Sequence, residues 1–215
     1  MPEAERNMRG QMDPPRDAMH AYYDRRAPEF DDWWEGTGLF EGRDRPGWEE
    51  ELAVLRAVVG SLPAARVLDV GCGTGFVTHL LHATSLVALD QSGSMLRLCR
   101  GRLPGTRLVR GDGLGLPFLP GSFDRVFTSH VYGHVLPEER ARFLTEARRV
   151  ARELVVVDAG PRGGGPRDEW QERKLKDGSH HRVYKRFFTA QSLQDELDGG
   201  RVLHDGAWFV AVAWP

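Results

Sequence analysis

The sequence predicts an α/β protein built on a doubly wound, mostly parallel sheet. Three observations predict it. From Arg66 to Phe76 the chain reads as a buried strand (Val67, Leu68 and Val70 around Asp69), then three alternate glycines (Gly71, Gly73, Gly75), then a short apolar helix. Short apolar runs at 86–90, 106–110, 124–129 and 154–158 alternate with helical patterns at 75–83, 93–102 and 137–151, the layout of parallel strands joined by right-handed crossovers. The length of 215 residues, with 40% hydrophobic and 28% charged side chains, suits one such domain with a modest cap.

Taken in order, residues 1–17 are polar, contain Pro14 and Pro15, and are expected to be mobile. From Ala18 to Trp34 the chain is rich in aromatic residues and reads as helical segments broken near Pro28. A loop from Gly36 to Arg45 leads to a helix opened by Pro46, with Trp48, Leu52, Leu55 and Val59 on one face and Gly60 and Pro63 at its end. The chain therefore divides into a terminus with a helical cap (1–45) and a binding domain (46–215). After the fifth strand, Gly160–Pro166 reads as a loop and 168–176 as a polar helix. His180–Phe188, basic and aromatic, could meet an anionic acceptor but reads rather as a strand or loop with a solvated polar side, and 190–198 as a short helix. Val202–His204 and Ala207–Trp214, joined across Asp205 and Gly206, form a terminal hairpin.

Composition removes several function classes. A formal net charge of −2 gives no global field favouring nucleic acid or an anionic membrane. The arginines are interleaved with acids, as from Glu138 to Arg142, which suits a solvated helix face. Cys72 and Cys99 have no metal-ligand spacing, and Cys72 is poorly placed for a structural disulfide. No apolar run approaches roughly 18 residues and no signal segment follows Met1, so the chain reads as cytoplasmic.

The glycine segment carries the chemistry. Its spacing is Gly-x-Gly-x-Gly, not the Gly-x-Gly-x-x-Gly of a dinucleotide site, and Asp69 stands where such a site keeps an apolar residue. The glycines bring backbone against a ligand that lacks phosphate and carries an amino-acid moiety. Nineteen residues after Gly71 stands Asp90, ending a second strand and followed by Gln91, Ser92 and Met95. Gly111-Asp112-Gly113 follows a third strand, and Phe123 to Phe127 opens a fourth.

In this order and spacing, across residues 66–158, the four elements resemble those of the class I S-adenosylmethionine-dependent methyltransferases of small-molecule type, similar in layout to quinone-biosynthesis and natural-product enzymes. The resemblance implies a Rossmann-like doubly wound sheet of about seven strands, mostly parallel, with an antiparallel C-terminal hairpin and an N-terminal helical cap. It implies S-adenosyl-L-methionine as cofactor, S-adenosyl-L-homocysteine as product and a small-molecule methyl acceptor as partner, with no nucleic acid or membrane.

It also implies the cofactor-binding residues. Asp90 would accept the ribose hydroxyls, with Gln91 beside it. Asp112 would accept the adenine amine, while the backbone N–H of Gly113 or Leu114 meets a ring nitrogen. Met95 would pack on adenine or simply fill the core. Asp69 would orient the methionyl ammonium group directly or through the loop of Gly71, Gly73 and Gly75, with Ser129 at the end of the fourth strand. Tyr23, chosen over Tyr22, would close over the methionyl carboxylate, unless both merely anchor the cap.

Methyl transfer needs alignment and exclusion of water, and a base helps when the acceptor is a hydroxyl or an acidic carbon. His130 follows the fourth strand, where the fold faces the reactive methyl group, and is the candidate base or acceptor-orienting group. His134 shares its helical face. Either could instead be ordinary hydrogen-bonded structure. The tip from Ser129 to Tyr132 lacks the Asn-Pro-Pro-aromatic pattern of amino methyltransferases, there is no Pro-Cys pair, and no Asp/Asn cluster suggests magnesium. A small organic acceptor remains, with O- or C-methylation favoured over N-methylation. The rival readings are a cofactor-binding scaffold without turnover, a non-methylating reaction aided by the bound sulfonium, and a nicotinamide-dependent oxidoreductase. The last is disfavoured by the glycine spacing and Asp69.

Overall fold

The computed structural model describes residues 16–161 and 167–215. The expectations for the N-terminal stretch 1–15, and for 162–166 within the loop after the fifth strand, lie outside the described residues.

The strands are β1 (Ala65–Val70), β2 (Ala83–Asp90), β3 (Arg107–Arg110), β4 (Arg125–Ser129), β5 (Glu153–Ala159), β6 (Asp168–Lys174), β7 (His180–Arg186), β8 (Arg201–Asp205) and β9 (Phe209–Trp214). The helices are α1 (Arg16–Arg26), α2 (Asp32–Glu35), α3 (Trp48–Gly60), α4 (Gly93–Arg102), α5 (Pro137–Val150) and α6 (Ala190–Glu196). Seven strands form one sheet in the order β3-β2-β1-β4-β5-β9-β8, while β6 and β7 pair apart as a hairpin. β1 to β5 are mutually parallel, and β9 inserts antiparallel between β5 and β8. This is the expected doubly wound architecture with its antiparallel C-terminal hairpin.

Period-two alternation accounts for the two cores. Leu68, Val70, Val126, Val210 and Val212 point to the face covered by Phe143, Leu144, Ala147 and Val150 of α5 and by Leu193. Val67, Phe127, Phe209, Ala211 and Ala213 point to the face covered by Trp48, Leu52, Leu55 and Val59 of α3. Both faces are buried, which is why the strands read as continuous apolar runs. Cys72 and Cys99, distant in sequence, pack together with Ala88 as free buried thiols.

Two expected helices are absent. In place of a helix at 75–83 there is one 3-10 turn, Thr78–Leu80, and β2 begins at Ala83. The Thr78 hydroxyl donates to Asp69 Oδ2 at 2.6 Å, so this β-branched residue anchors the turn to β1 rather than propagating a helix. The stretch 168–176, read as a polar helix, is instead strand β6, paired residue by residue with β7 from Asp168↔Arg186 to Lys174↔His180. Its alternation is invisible in hydropathy because neither face is apolar throughout. The residues from Glu169 to Lys174 border a cavity, and Glu172 pairs with Arg182 at 3.4 Å.

Candidate active site

The carboxyl ends of β1, β2, β4 and β5 open on the same edge of the sheet, and one cavity of about 860 Å³ lies beyond them. Its size falls in the range of small-molecule sites. Its roof is α1, the segment after α1 to Arg43, and the β6–β7 hairpin.

Gly71 and Gly73 take φ of 76° and 54°, a region L side chains rarely adopt. A Cβ on Gly71 would stand 2.3 Å from Val131 Cγ2. The Gly73 N–H donates to Asp90 Oδ2 and the Ser92 N–H to Asp90 Oδ1, both at 2.8 Å. Asp90 thus clamps the glycine loop, and each oxygen retains acceptor capacity toward the cavity. Burial raises its pKa against these two backbone donors. Ser92 caps α4 by accepting from the Met95 N–H at 3.1 Å and donates to Asp24 Oδ1 at 2.5 Å. That bond pins α1 over the site.

Gly71, Gly73, Asp90, Gln91, Met95, Asp112, Gly113, Leu114, Ser129, Tyr23, His130 and His134 all line this one cavity. Asp69 and Gly75 do not. Asp69 is 2% exposed behind the loop, where burial pushes its carboxyl up to about 7 despite the Thr78 hydrogen bond. It can act on a ligand only through the loop. The Leu114 N–H is already given to Asp112 Oδ1 at 2.9 Å, so between Gly113 and Leu114 the former is the better placed amide donor. Tyr22 is fully buried against Leu175 and Val183, whereas Tyr23 faces the cavity.

His130 has φ of 57°, unusual for a residue with a side chain. Its N–H donates to the Val157 carbonyl at 2.8 Å, and its ring packs edgewise against Trp33 and Trp34 at 5.1 Å each. His134 Nδ1 lies 2.6 Å from the Tyr184 carbonyl oxygen. A carbonyl only accepts, so Nδ1 carries the proton and Nε2 keeps a lone pair. Burial first, then the nearby Lys185 and Arg173 cations, hold His134 well below its usual pKa and therefore neutral.

Beneath both histidines lies a buried ion pair, Lys185 Nζ to Asp158 Oδ1 at 2.5 Å, with side-chain exposures of 6% and 0%. Burial alone would raise the Asp158 carboxyl, but Lys185 and His130 outweigh it and hold it low. Asp158 Oδ2 also accepts from the Gly133 N–H at 2.8 Å, which fixes the turn carrying His134.

Sequence reasoning missed Arg26 and Arg173 among the cations of this cavity and had Lys185 only as part of the basic segment 180–188. Arg26 reaches it from α1, and Arg173 and Lys185 from the hairpin. Tyr22 stands between the two arginines, its hydroxyl 2.8 Å from Arg26 Nη1 and 3.4 Å from Arg173 Nη1. No local pattern marks them; only the pairing of β6 with β7 under α1 assembles them.

The cavity suits the cofactor the motifs imply. Asp90 offers spare lone pairs, Gln91 Oε1 and Ser129 Oγ are buried with no hydrogen-bond partner among the described residues, and the glycine loop leaves space a Cβ would fill. The fold is the Rossmann-like one of class I methyltransferases. A methyltransferase-domain family model matches residues 68–155. A phthiotriol/phenolphthiotriol dimycocerosates methyltransferase of Mycobacterium ulcerans is 33% identical over 156 residues, 62% of this chain and 56% of that protein. A demethylmenaquinone methyltransferase of Renibacterium salmoninarum is 33% identical over 163 residues, 74% of this chain and 65% of that protein. The chain thus spans about half the length of the first relative. A solved structure described as a DhpI-SAM-HEP complex shares the fold, with a TM-score of 0.73, 23% identity, and coverage of 93% of this chain and 97% of that one. The chain is thus similar to class I S-adenosylmethionine-dependent methyltransferases, with a methyltransferase-domain match at its centre. No helix among the described residues is long and apolar enough to cross a membrane.

Proposed function

We propose that this chain transfers a methyl group from S-adenosylmethionine to a small organic acceptor. The observation that carries the reading is a single cavity lined at one end by the glycine loop, Asp90 and Asp112–Leu114 and at the other by His130 and His134. Bound there, S-adenosylmethionine supplies an electrophilic methyl group on a sulfonium centre. Asp90 accepts the ribose hydroxyls with the lone pairs not used by Gly73 and Ser92. Asp112 and the Gly113 N–H meet the adenine edge, and Met95, 1% exposed, packs beneath it. Asp69 acts indirectly, holding the turn at Thr78 and so the loop. Arg26 and Tyr23 close over the methionyl carboxylate.

The acceptor compartment is then the space under the β6–β7 hairpin, walled by Trp33, Trp34, Trp170 and Phe187, which exclude water from the reacting atoms. His134, neutral and with a fixed tautomer, is the better base for an acceptor hydroxyl or acidic carbon. His130 lines the same end and orients the acceptor. This favours O- or C-methylation over N-methylation. The division into a cap through residue 45 and a binding domain from residue 46, and a cytoplasmic location, belong to the same reading.

The test is calorimetric titration with S-adenosylmethionine and S-adenosylhomocysteine, with Asp90→Ala and NADH as controls, followed by acceptor screening with S-adenosylhomocysteine release as readout. Saturable binding lost in the variant, with turnover on an acceptor, supports the reading. Tighter binding of NADH would overturn it.

A further inference from the structure

The roof of the acceptor compartment carries a cation without a carboxylate partner among the described residues. Arg173 of β6 lines the cavity, half-buried, and its guanidinium forms no ion pair among the described residues. Its hydrogen bonds go to neutral oxygens: Nη2 and Nε donate to Gln171 Oε1 at 2.8 and 3.2 Å, and Nη1 approaches the Tyr22 hydroxyl at 3.4 Å. The Tyr22 ring lies 5.9 Å beneath it. A cation over an aromatic face and two neutral acceptors offset only part of the desolvation of a guanidinium.

Strand geometry explains why the charge stays unpaired. Glu169, Gln171 and Arg173 share one face of β6, two residues apart. The Gln171 amide donates to Glu169 Oε1 at 2.7 Å while its oxygen receives Arg173. The one carboxylate in this ladder is therefore held a full side chain away, with an uncharged spacer between. Lys185, opposite Glu169 in the register, is already neutralised by Asp158. Across the cavity the ring of His134 is held neutral, so it neither repels nor replaces an anion. Arg26, by contrast, lies toward the glycine loop, beside the same Phe30 ring that approaches Gly73.

We propose that Arg173 binds an oxyanion, a carboxylate or phosphate group, borne by the methyl acceptor. The acceptor enters with its anionic group under the hairpin and its nucleophile toward His134. Arginine suits this role because its planar fork of donors matches the two oxygens of such a group. The proposal rests on the methyltransferase reading above, since it names the acceptor of that reaction.

The experiment titrates the S-adenosylhomocysteine-loaded protein with inorganic phosphate and with acetate at constant ionic strength, following tryptophan fluorescence from Trp33, Trp34 and Trp170. Two variants remove the site in different ways. Arg173→Gln deletes the charge. The double variant Glu169→Gln with Gln171→Glu keeps composition and net charge but moves the carboxylate next to Arg173, giving it an internal counter-ion, so it remains informative if Arg173→Gln fails to fold. The expected result is saturable anion binding in the native chain, weakened about tenfold or more in either variant, with S-adenosylhomocysteine affinity unchanged within about twofold. Arg173→Lys, which keeps the charge but not the fork, should retain only part of the anion affinity. Absence of saturable binding, or equal binding in the native chain and the variants, would overturn the proposal. So would a loss of S-adenosylhomocysteine affinity in the variants with 5′-methylthioadenosine affinity intact, because Arg173 would then hold the cofactor's own carboxylate. Failure of the native chain to bind S-adenosylhomocysteine is read in the first step and sinks the methyltransferase reading itself.

Discussion

The two ends of the cavity are made from different materials. At the glycine-loop end the binding groups are backbone amides and carboxylates fixed by the strands themselves: Asp90 is locked by the N–H groups of Gly73 and Ser92, and Gly71 packs against Val131 where no side chain fits. At the hairpin end the groups are long charged side chains (Arg173, Lys185) held against aromatic rings and one buried acid, Asp158. The first end is a consequence of the parallel sheet and serves any acceptor. The second hangs from a separate two-stranded hairpin and can change without disturbing the sheet. The difference teaches where specificity resides in such a fold: on the appended element.

The largest effect should come from the junction between the hairpin and the sheet. Lys185→Met leaves the Asp158 carboxylate buried without its cation and should destabilise the protein by about 3–5 kcal/mol, read as a fall in Tm. Adding Asp158→Leu should recover most of that loss, because a buried pair exchanged for apolar side chains is close to neutral. A loss below about 1 kcal/mol in the single variant would mean the pair does not tie hairpin to sheet.

His134→Asn comes next and sharpens the contrast. An amide nitrogen can still donate to the Tyr184 carbonyl, but the Nε2 lone pair is gone. Turnover should fall by about a hundredfold, near 2.7 kcal/mol in the barrier, while S-adenosylhomocysteine affinity holds. Unchanged turnover would reduce His134 to a strut under β7. At the other end Asp90→Ala should do the reverse, costing about 1–3 kcal/mol of cofactor affinity through unpaired hydroxyls and freed loop amides. If affinity is unaffected, the cofactor does not lie across β2.

This contrast also marks how far the sequence could be read. The strands β1 to β5, α4 and α5 were legible because burial on both faces makes each strand an apolar run and each helix an amphipathic stripe. The glycine loop, Asp90 and Asp112 were legible because the fold puts strand ends at one edge. β6 was not, since a strand that borders a polar cavity carries charged and polar side chains at nearly every position and mimics a solvated helix. The helix expected after Gly75 failed for a local reason, the bond from Thr78 to Asp69. Arg26 and Arg173 were missed, and Lys185 was read only as part of a basic segment, because their meeting depends on long-range pairing of α1, β6 and β7, which no spacing encodes.

The smallest predicted effect tests whether the two ends communicate. Asp24 sits on α1, whose Tyr22 packs against Leu175 and Val183 at the hairpin, yet its carboxylate reaches back to α4, accepting from the Ser92 hydroxyl and from the Ser94 N–H at 3.2 Å. It thus places a negative charge at the N-terminus of the helix that follows Asp90, a favourable position for an anion. The Ser92 hydrogen bond, outweighing burial, holds its pKa below the usual carboxylate value. Because the folded pKa is depressed, the stabilisation is present above the unfolded value of about 3.9 and is lost as pH falls through the lower folded value. Asp24→Asn should therefore cost about 1 kcal/mol at neutral pH, and the stabilities of variant and native chain should converge below about pH 3. Measured beside S-adenosylhomocysteine affinity, the same variant decides the coupling. A parallel loss of affinity would make α1 a clamp through which the acceptor roof and the cofactor loop close together. A loss of stability alone would make them two sites that share a cavity and nothing else.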